Sequence, residues 1–98
     1  MKLSRMLTAG ALVLAGLLPA TAADAPPGAT SCSGCHSPSA TETSVPPRLN
    51  GRDPAKTVAA LQEFRSGQRP ATIMDRVVKG FTPEEIAAIA AWYGAQKD

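Results

Sequence analysis

Cys32-Ser33-Gly34-Cys35-His36 spells the pattern C-x-x-C-H, and this stretch decides the fold of the chain. Two thiols three positions apart on one helical turn point the same way, so each can form a thioether with one of the two vinyl groups of a haem. The histidine that follows then lies under the ring, with its imidazole aimed at the iron. The motif predicts one covalently attached c-type haem, with His36 as an axial ligand.

The rest of the chain offers one candidate for the other axial position. Cys32 and Cys35 are the only cysteines, His36 is the only histidine, and Met74 is the only methionine beyond position 6. A methionine in a small protein usually fills space in the core. Here the soft thioether is expected just after a loop, which suits the sixth position of a haem iron. The sequence therefore predicts His36 and Met74 as the two axial ligands.

The cysteine pair has three other possible uses. A thioredoxin-like redox dithiol is disfavoured because no strand–helix–strand pattern surrounds the motif. A structural zinc site is disfavoured because it takes four nitrogen or sulfur ligands, and two cysteines with one histidine supply three. A Cys32–Cys35 disulfide in a haem-free secreted module stays open, although closing so short a loop adds little stability.

Residues 1–22 have the pattern of a cleaved secretory signal peptide. Lys2 and Arg5 give a positive start, and residues 7–18 form an apolar stretch too short to span a bilayer comfortably. A small-x-small site over residues 20–22 predicts cleavage after Ala22, with Ala23 as the second choice. The alternative is an uncleaved anchor. Cleavage would leave residues 23–98 as one domain, with no membrane span.

A domain of this size buries little surface and usually needs additional stabilisation by a cross-link or a bound group. It holds four aromatic residues, Phe64, Phe81, Trp92 and Tyr93. A covalently held haem would supply the missing apolar volume. We therefore expect the chain without haem to be largely unfolded or molten.

Charge is unevenly distributed along the chain. Residues 48–79 carry seven basic and three acidic side chains. This basic middle is either a docking face for an acidic partner or a solvated surface with one or two arginines near the haem propionates. No basic stripe alternates with aromatic residues, which disfavours nucleic-acid binding.

The local patterns predict helices over residues 29–36, 54–66, 74–79 and 83–96, and no strand. Asp53 as N-cap before Pro54 starts the second helix and Gly67 ends it. Thr82 and Glu85 form a capping box for the last helix, which is expected to cross the haem-motif helix near Cys32. Leu61 and Phe64 are expected in the core. The predicted fold class is all-α.

The loop before the second helix contains Pro46-Pro47-Arg48-Leu49. A haem-ligating histidine needs an acceptor for its other ring N–H. The carbonyl of Pro47 is the candidate acceptor for His36, and that of Pro46 is the second choice. Leu49 would then pack on the haem face. An ordinary proline loop is the alternative.

With these residues in place, residues 23–98 resemble a class I cytochrome c. The haem motif comes first, Pro47-x-Leu49-x-Gly51 follows it, and Met74 precedes a capped last helix that bears an aromatic pair. Residues 64–76 and 80–93 are similar to the cytochrome c4/c554 group, and most similar to the cytochrome subunit of flavocytochrome c sulfide dehydrogenase. The resemblance implies a small single-haem class I cytochrome c domain. Many such relatives carry two haem domains, whereas this chain has one motif.

The resemblance also implies what the chain does. It implies periplasmic electron transfer through one haem c, because haem is attached to these proteins outside the cytoplasm. The chain would be the electron-accepting subunit of a sulfide-oxidising flavocytochrome, bound to a flavoprotein. The alternative is a free-standing soluble monohaem carrier of the c4/c554 type. In either case the partners are redox proteins, and no catalytic residue or substrate site is predicted on the chain itself.

Overall fold

The computed structural model describes Gly10 and residues 24–97. The predicted signal peptide lies outside this part except for Gly10. The described part is all-α and contains no strand, which confirms the predicted fold class. In chain order the elements are α1 (Ala29–Cys32), α2 (Pro54–Ser66), α3 (Met74–Val77), a 3₁₀ turn (Val78–Gly80) and α4 (Pro83–Ala95).

The two long helices are capped as the sequence predicts. The Asp53 carboxylate accepts a hydrogen bond from the N–H of Ala55 (2.9 Å), and Gly67 ends α2 at φ 78°, a left-handed conformation that favours glycine. At the start of α4 the Thr82 hydroxyl accepts from the N–H of Glu85, whose carboxylate accepts from the N–H of Thr82. These bonds satisfy donors that a helix leaves unpaired at its N-terminus.

The helix that carries the motif is shorter than predicted. α1 ends at Cys32, and the chain continues as a turn in which the N–H groups of Gly34 and Cys35 bond to carbonyls three residues back. The N–H of His36 returns to the carbonyl of Cys32 at 2.9 Å, one helical turn away. Gly34 weakens the regular helix because glycine has a low helix propensity. The motif nevertheless stays on one continuous turn.

α1 crosses α4 near Cys32, as predicted. Ala29 packs with Ile89 and Tyr93, and all three are buried. The Tyr93 hydroxyl donates to the carbonyl of Ala29 (2.5 Å) and lies 2.8 Å from the Ser33 hydroxyl. The last helix therefore fixes the position of the haem motif directly.

α2 packs against α4 at a close contact that depends on Gly94. A Cβ at this position would lie 2.7 Å from Cγ of Pro54 and 2.9 Å from the carbonyl oxygen of Arg52. Glycine is needed here because real Cβ atoms do not approach other heavy atoms this closely. The start of α2 thereby rests on the C-terminal turn of α4.

The expected core positions of α2 were wrong. Leu61 and Phe64 are half-buried, and Thr57 and Ala60 are the buried residues of this helix. Leu61 and Phe64 are half-buried because their side chains border a cavity instead of another helix, so part of their surface stays uncovered. Across the described residues, no helix has the length and apolar character that crossing a membrane requires.

Candidate functional site

A cavity of about 570 Å³ lies between the haem motif, the proline loop, α2 and α3. This volume is typical of pockets that bury a small ligand or cofactor. Four of its lining residues are the predicted haem anchors and iron ligands, Cys32, Cys35, His36 and Met74. The remaining lining residues are Ser31, Val45, Pro46, Pro47, Leu49, Arg52, Thr57, Ala60, Leu61, Phe64, Pro70, Ala71, Thr72, Ile73, Val77, Ile89 and Tyr93.

Both cysteines of the motif reach this cavity as free thiols. Cys32 is half-buried, and burial raises the pKa of its thiol. Cys35 is exposed. The two thiols come from one turn and face one cavity, which is the arrangement that two thioethers to a single ligand require. Among the described residues, no group of three His, Cys, Asp or Glu side chains can hold a metal ion by itself.

His36 is buried, with 8% of its surface exposed, and its ring orientation is fixed by one contact. Its Nδ1 lies 2.6 Å from the carbonyl oxygen of Pro47. A carbonyl can only accept, so Nδ1 carries the proton and the lone pair of Nε2 is left for a metal. The loop that presents Pro47 is held by the N–H of Arg48, which donates to the carbonyl of Thr41 at 2.9 Å.

Met74 is the first residue of α3 and is half-buried. It lines the same cavity as His36, although the two residues come from distant parts of the chain. The neutral thioether has no hydrogen-bond demand of its own, so it can stand at an apolar wall without an unpaired polar atom. The structure thus brings one imidazole and one thioether to a single apolar space.

Comparison with known proteins relates the chain to a cytochrome. No protein-family model matches the chain. Over 64 residues it is 42% identical to the cytochrome subunit of sulfide dehydrogenase of Chlorobaculum tepidum. The chain is related to the cytochromes c. The match covers 65% of this chain and 58% of the length of that relative. Membership of the c4/c554 group stays a prediction.

The residues around the cavity fit the haem that a cytochrome relative implies. The walls are mainly apolar, as the flat face of a porphyrin needs, and both thiols, the imidazole and the thioether belong to the lining. Cys32 and Cys35 would hold the haem, and His36 and Met74 would ligate its iron. A bound haem would supply a one-electron couple.

The sequence analysis did not single out two polar residues that line this cavity. Arg52 brings a permanent positive charge to the lining, and nothing in its sequence position singles it out among the arginines of residues 48–79. Thr57 is 5% exposed and also faces the cavity. The spacing Thr57, Ala60, Leu61 and Phe64 follows one helical face, and this pattern is the signal that could have found the cavity side of α2.

Proposed function

We propose that this cytochrome relative transfers single electrons through one covalent haem c. Cys32 and Cys35 carry the thioethers, His36 is the proximal ligand and Met74 is the distal ligand. The observation that carries the proposal is the meeting of these four side chains at one apolar cavity, with Nδ1 of His36 held by Pro47. No other grouping of thiol, imidazole and thioether is available, because the chain has one histidine and two cysteines.

The residues favour electron transfer over chemistry on a bound substrate. With His36 and Met74 both on the iron, no coordination position remains for a substrate. The Pro47 carbonyl fixes the tautomer of His36 and raises the basicity of its ligating nitrogen. The thioether of Met74 and the apolar walls favour the less charged, reduced state, which raises the reduction potential. The chain itself therefore acts as a relay and holds no catalytic residue.

We further propose that its partner is a flavoprotein of a sulfide dehydrogenase. The support is the relative of Chlorobaculum tepidum, which is named as the cytochrome subunit of such an enzyme. In this assembly the haem would accept electrons that the flavoprotein takes from sulfide. The second candidate, a free-standing monohaem carrier, uses the same site and differs only in what binds the chain.

The proposed location is the periplasm. The support is the signal-peptide pattern of residues 1–22 and the requirement that haem be attached to C-x-x-C-H motifs outside the cytoplasm. N-terminal sequencing of the exported protein tests this directly, with Ala23 expected as the first residue. A protein that begins at Met1 and stays with the membrane would support the uncleaved anchor instead.

The test of the haem proposal is expression of the full chain in a host that matures cytochromes c. We expect haem absorbance that survives denaturation and a mass higher than that of the polypeptide by one haem. The matched control replaces Cys32 and Cys35 with serine and should lose the covalent haem. A haem-free product with a Cys32–Cys35 disulfide would contradict the proposal.

Isolation from the native periplasm distinguishes the dehydrogenase subunit from the free-standing carrier. Haem and flavin that co-elute in a larger complex would support the dehydrogenase subunit. Haem alone at the size of a small monomer would support the free carrier.

A further inference from the structure

One arginine ties α2 to the segment that carries Met74. Nη2 of Arg65 donates to the carbonyl oxygen of Val78 (2.8 Å) and to that of Phe81. Val78 begins the 3₁₀ turn that continues α3, and Phe81 directly follows that turn. The carbonyl of Val78 also accepts from the N–H of Phe81 at 3.2 Å, so Arg65 is a second donor to it, and a positive charge near the end of a helix is favourable. Arg65 therefore caps this short segment from a neighbouring helix.

The segment from Met74 to Phe81 has few other supports. α3 is four residues long, and a helix this short is not stable alone. Its N-cap residue, Ile73, makes no capping hydrogen bond through its side chain. Val78, which is 1% exposed, anchors the middle of the segment. Phe81, at the end of the segment, packs against the buried cluster of the core. Met74 stands at the opposite end from these anchors, so its position depends on how firmly the rest of the segment is held.

We propose that Arg65 is a positioning residue that keeps the Met74 thioether on the haem iron. The inference rests on the proposed His36/Met74 ligation. When Met74 leaves the iron, the segment must move away from the cavity, and the two bonds of Arg65 oppose that movement. Removing them shifts the population toward a state in which the sixth position is open to an added ligand. Arg65 does not line the cavity, so it acts through the backbone that carries Met74.

The experiment compares Arg65→Met with Arg76→Met in the ferric holoprotein. Arg76 lies on α3 and is exposed, so the control removes one positive charge from the Met74 segment itself without removing the two bonds to the carbonyls. Imidazole is the probe, because it is neutral and binds ferric iron once the thioether has left. We expect Arg65→Met to bind imidazole about tenfold or more tightly than the wild type and to lose part of the iron–thioether charge-transfer absorbance. Arg76→Met should stay within about twofold of the wild type.

Repeating the substitution in a Met74→Ala variant distinguishes a loss of Met74 positioning from a general opening of the haem site. In Met74→Ala no thioether competes, so adding Arg65→Met should leave the imidazole affinity unchanged. An equal rise in both backgrounds would overturn the proposal, because it would mean that the whole site had opened. An imidazole affinity of Arg65→Met equal to that of the wild type would overturn it as well.

A conservative variant keeps the test decisive if Arg65→Met is not recovered. Lysine keeps the positive charge but has a shorter side chain and no planar guanidinium, so Arg65→Lys should bind imidazole with intermediate affinity. Wild-type affinity in Arg65→Lys would then overturn the proposal. A wild-type protein that binds haem but lacks the thioether absorbance would refute the proposed Met74 ligation itself, which is a different failure.

Discussion

Replacing Tyr93 by phenylalanine tests the contact that joins the last helix to the haem motif. The substitution removes one oxygen and leaves the ring in place. That oxygen donates to the carbonyl of Ala29 at 2.5 Å and lies 2.8 Å from the hydroxyl of Ser33. Ala29 is fully buried, so water cannot easily replace the lost donor. Ser33 is exposed, and water can replace its partner.

The expected loss of stability follows from this difference. A typical intramolecular hydrogen bond contributes about 1 kcal/mol, and a buried acceptor left without a partner costs about 1–3 kcal/mol. Loss of the Ser33 contact adds little because the exposed Ser33 hydroxyl can bond to water instead. We therefore expect Tyr93→Phe to lower the free energy of unfolding by about 2 kcal/mol. For a domain of this size that corresponds to a fall in Tm of about 10 °C.

The assay is denaturant unfolding of the ferric holoprotein at pH 7, followed by far-ultraviolet circular dichroism and by haem absorbance. Ser33→Ala is the matched control, because it removes the other partner of the same hydroxyl. It should change the free energy of unfolding by less than about 0.5 kcal/mol. A Tyr93→Phe protein as stable as the wild type would refute the reasoning, since the hydroxyl would then not bridge α4 to α1.

Four further outcomes are expected. Burial raises the pKa of Tyr93 above its ordinary value of 10.0, so the contribution of the protonated Tyr93 to stability is complete below pH 10 and falls as the pH rises above 10. In denaturant titrations at alkaline pH, the free energy of unfolding of Tyr93→Phe should therefore decline less steeply with pH than that of the wild type. Gly94→Ala should destabilise the protein by about 1 kcal/mol in the same unfolding assay, because crowding against Pro54 outweighs the gain in helix propensity. A variant more stable than the wild type would contradict the close packing of Gly94 against Pro54. Arg52→Gln should lower the reduction potential by roughly tens of millivolts, because a cation at the cavity wall favours the reduced haem. An unchanged potential would show that the charge of Arg52 does not act on the haem. Met74→Leu should lower the potential further and let imidazole bind without competition, and redox titration with ligand binding checks both.

Local signals in the sequence predicted the long helices well. Asp53 with Pro54, and Thr82 with Glu85, announce helix starts because each supplies hydrogen bonds within a few residues of itself. Gly67 marks a helix end for the same local reason. Such features depend on nearest neighbours in the chain, so they can be predicted without knowledge of the fold.

The sequence could not predict the features that depend on distant contacts. The sequence shows Arg65 as one of several basic side chains, and it does not show that the guanidinium donates to two backbone carbonyls of another segment. The apolar pattern of α2 predicts Leu61 and Phe64 in a protein core, and the structure places them on a cavity wall. A hydrophobic pattern along a helix indicates an apolar neighbour, and it does not distinguish a second helix from a ligand.

The cavity explains why so short a motif can organise a whole chain. Among the described residues, the largest fully buried side chains are Tyr93 and Val78, which make a small core for a domain of this size. Leu61, Phe64 and Met74 are half-buried around the cavity, so their apolar surface is covered only when a ligand fills that space. In the proposed holoprotein the haem is therefore the second half of the core as well as the redox group. The same wall residues would stabilise the fold and set the surroundings of the iron. A substitution among them should therefore change the unfolding free energy and the reduction potential together. A substitution at the Tyr93 contact should change mainly the unfolding free energy.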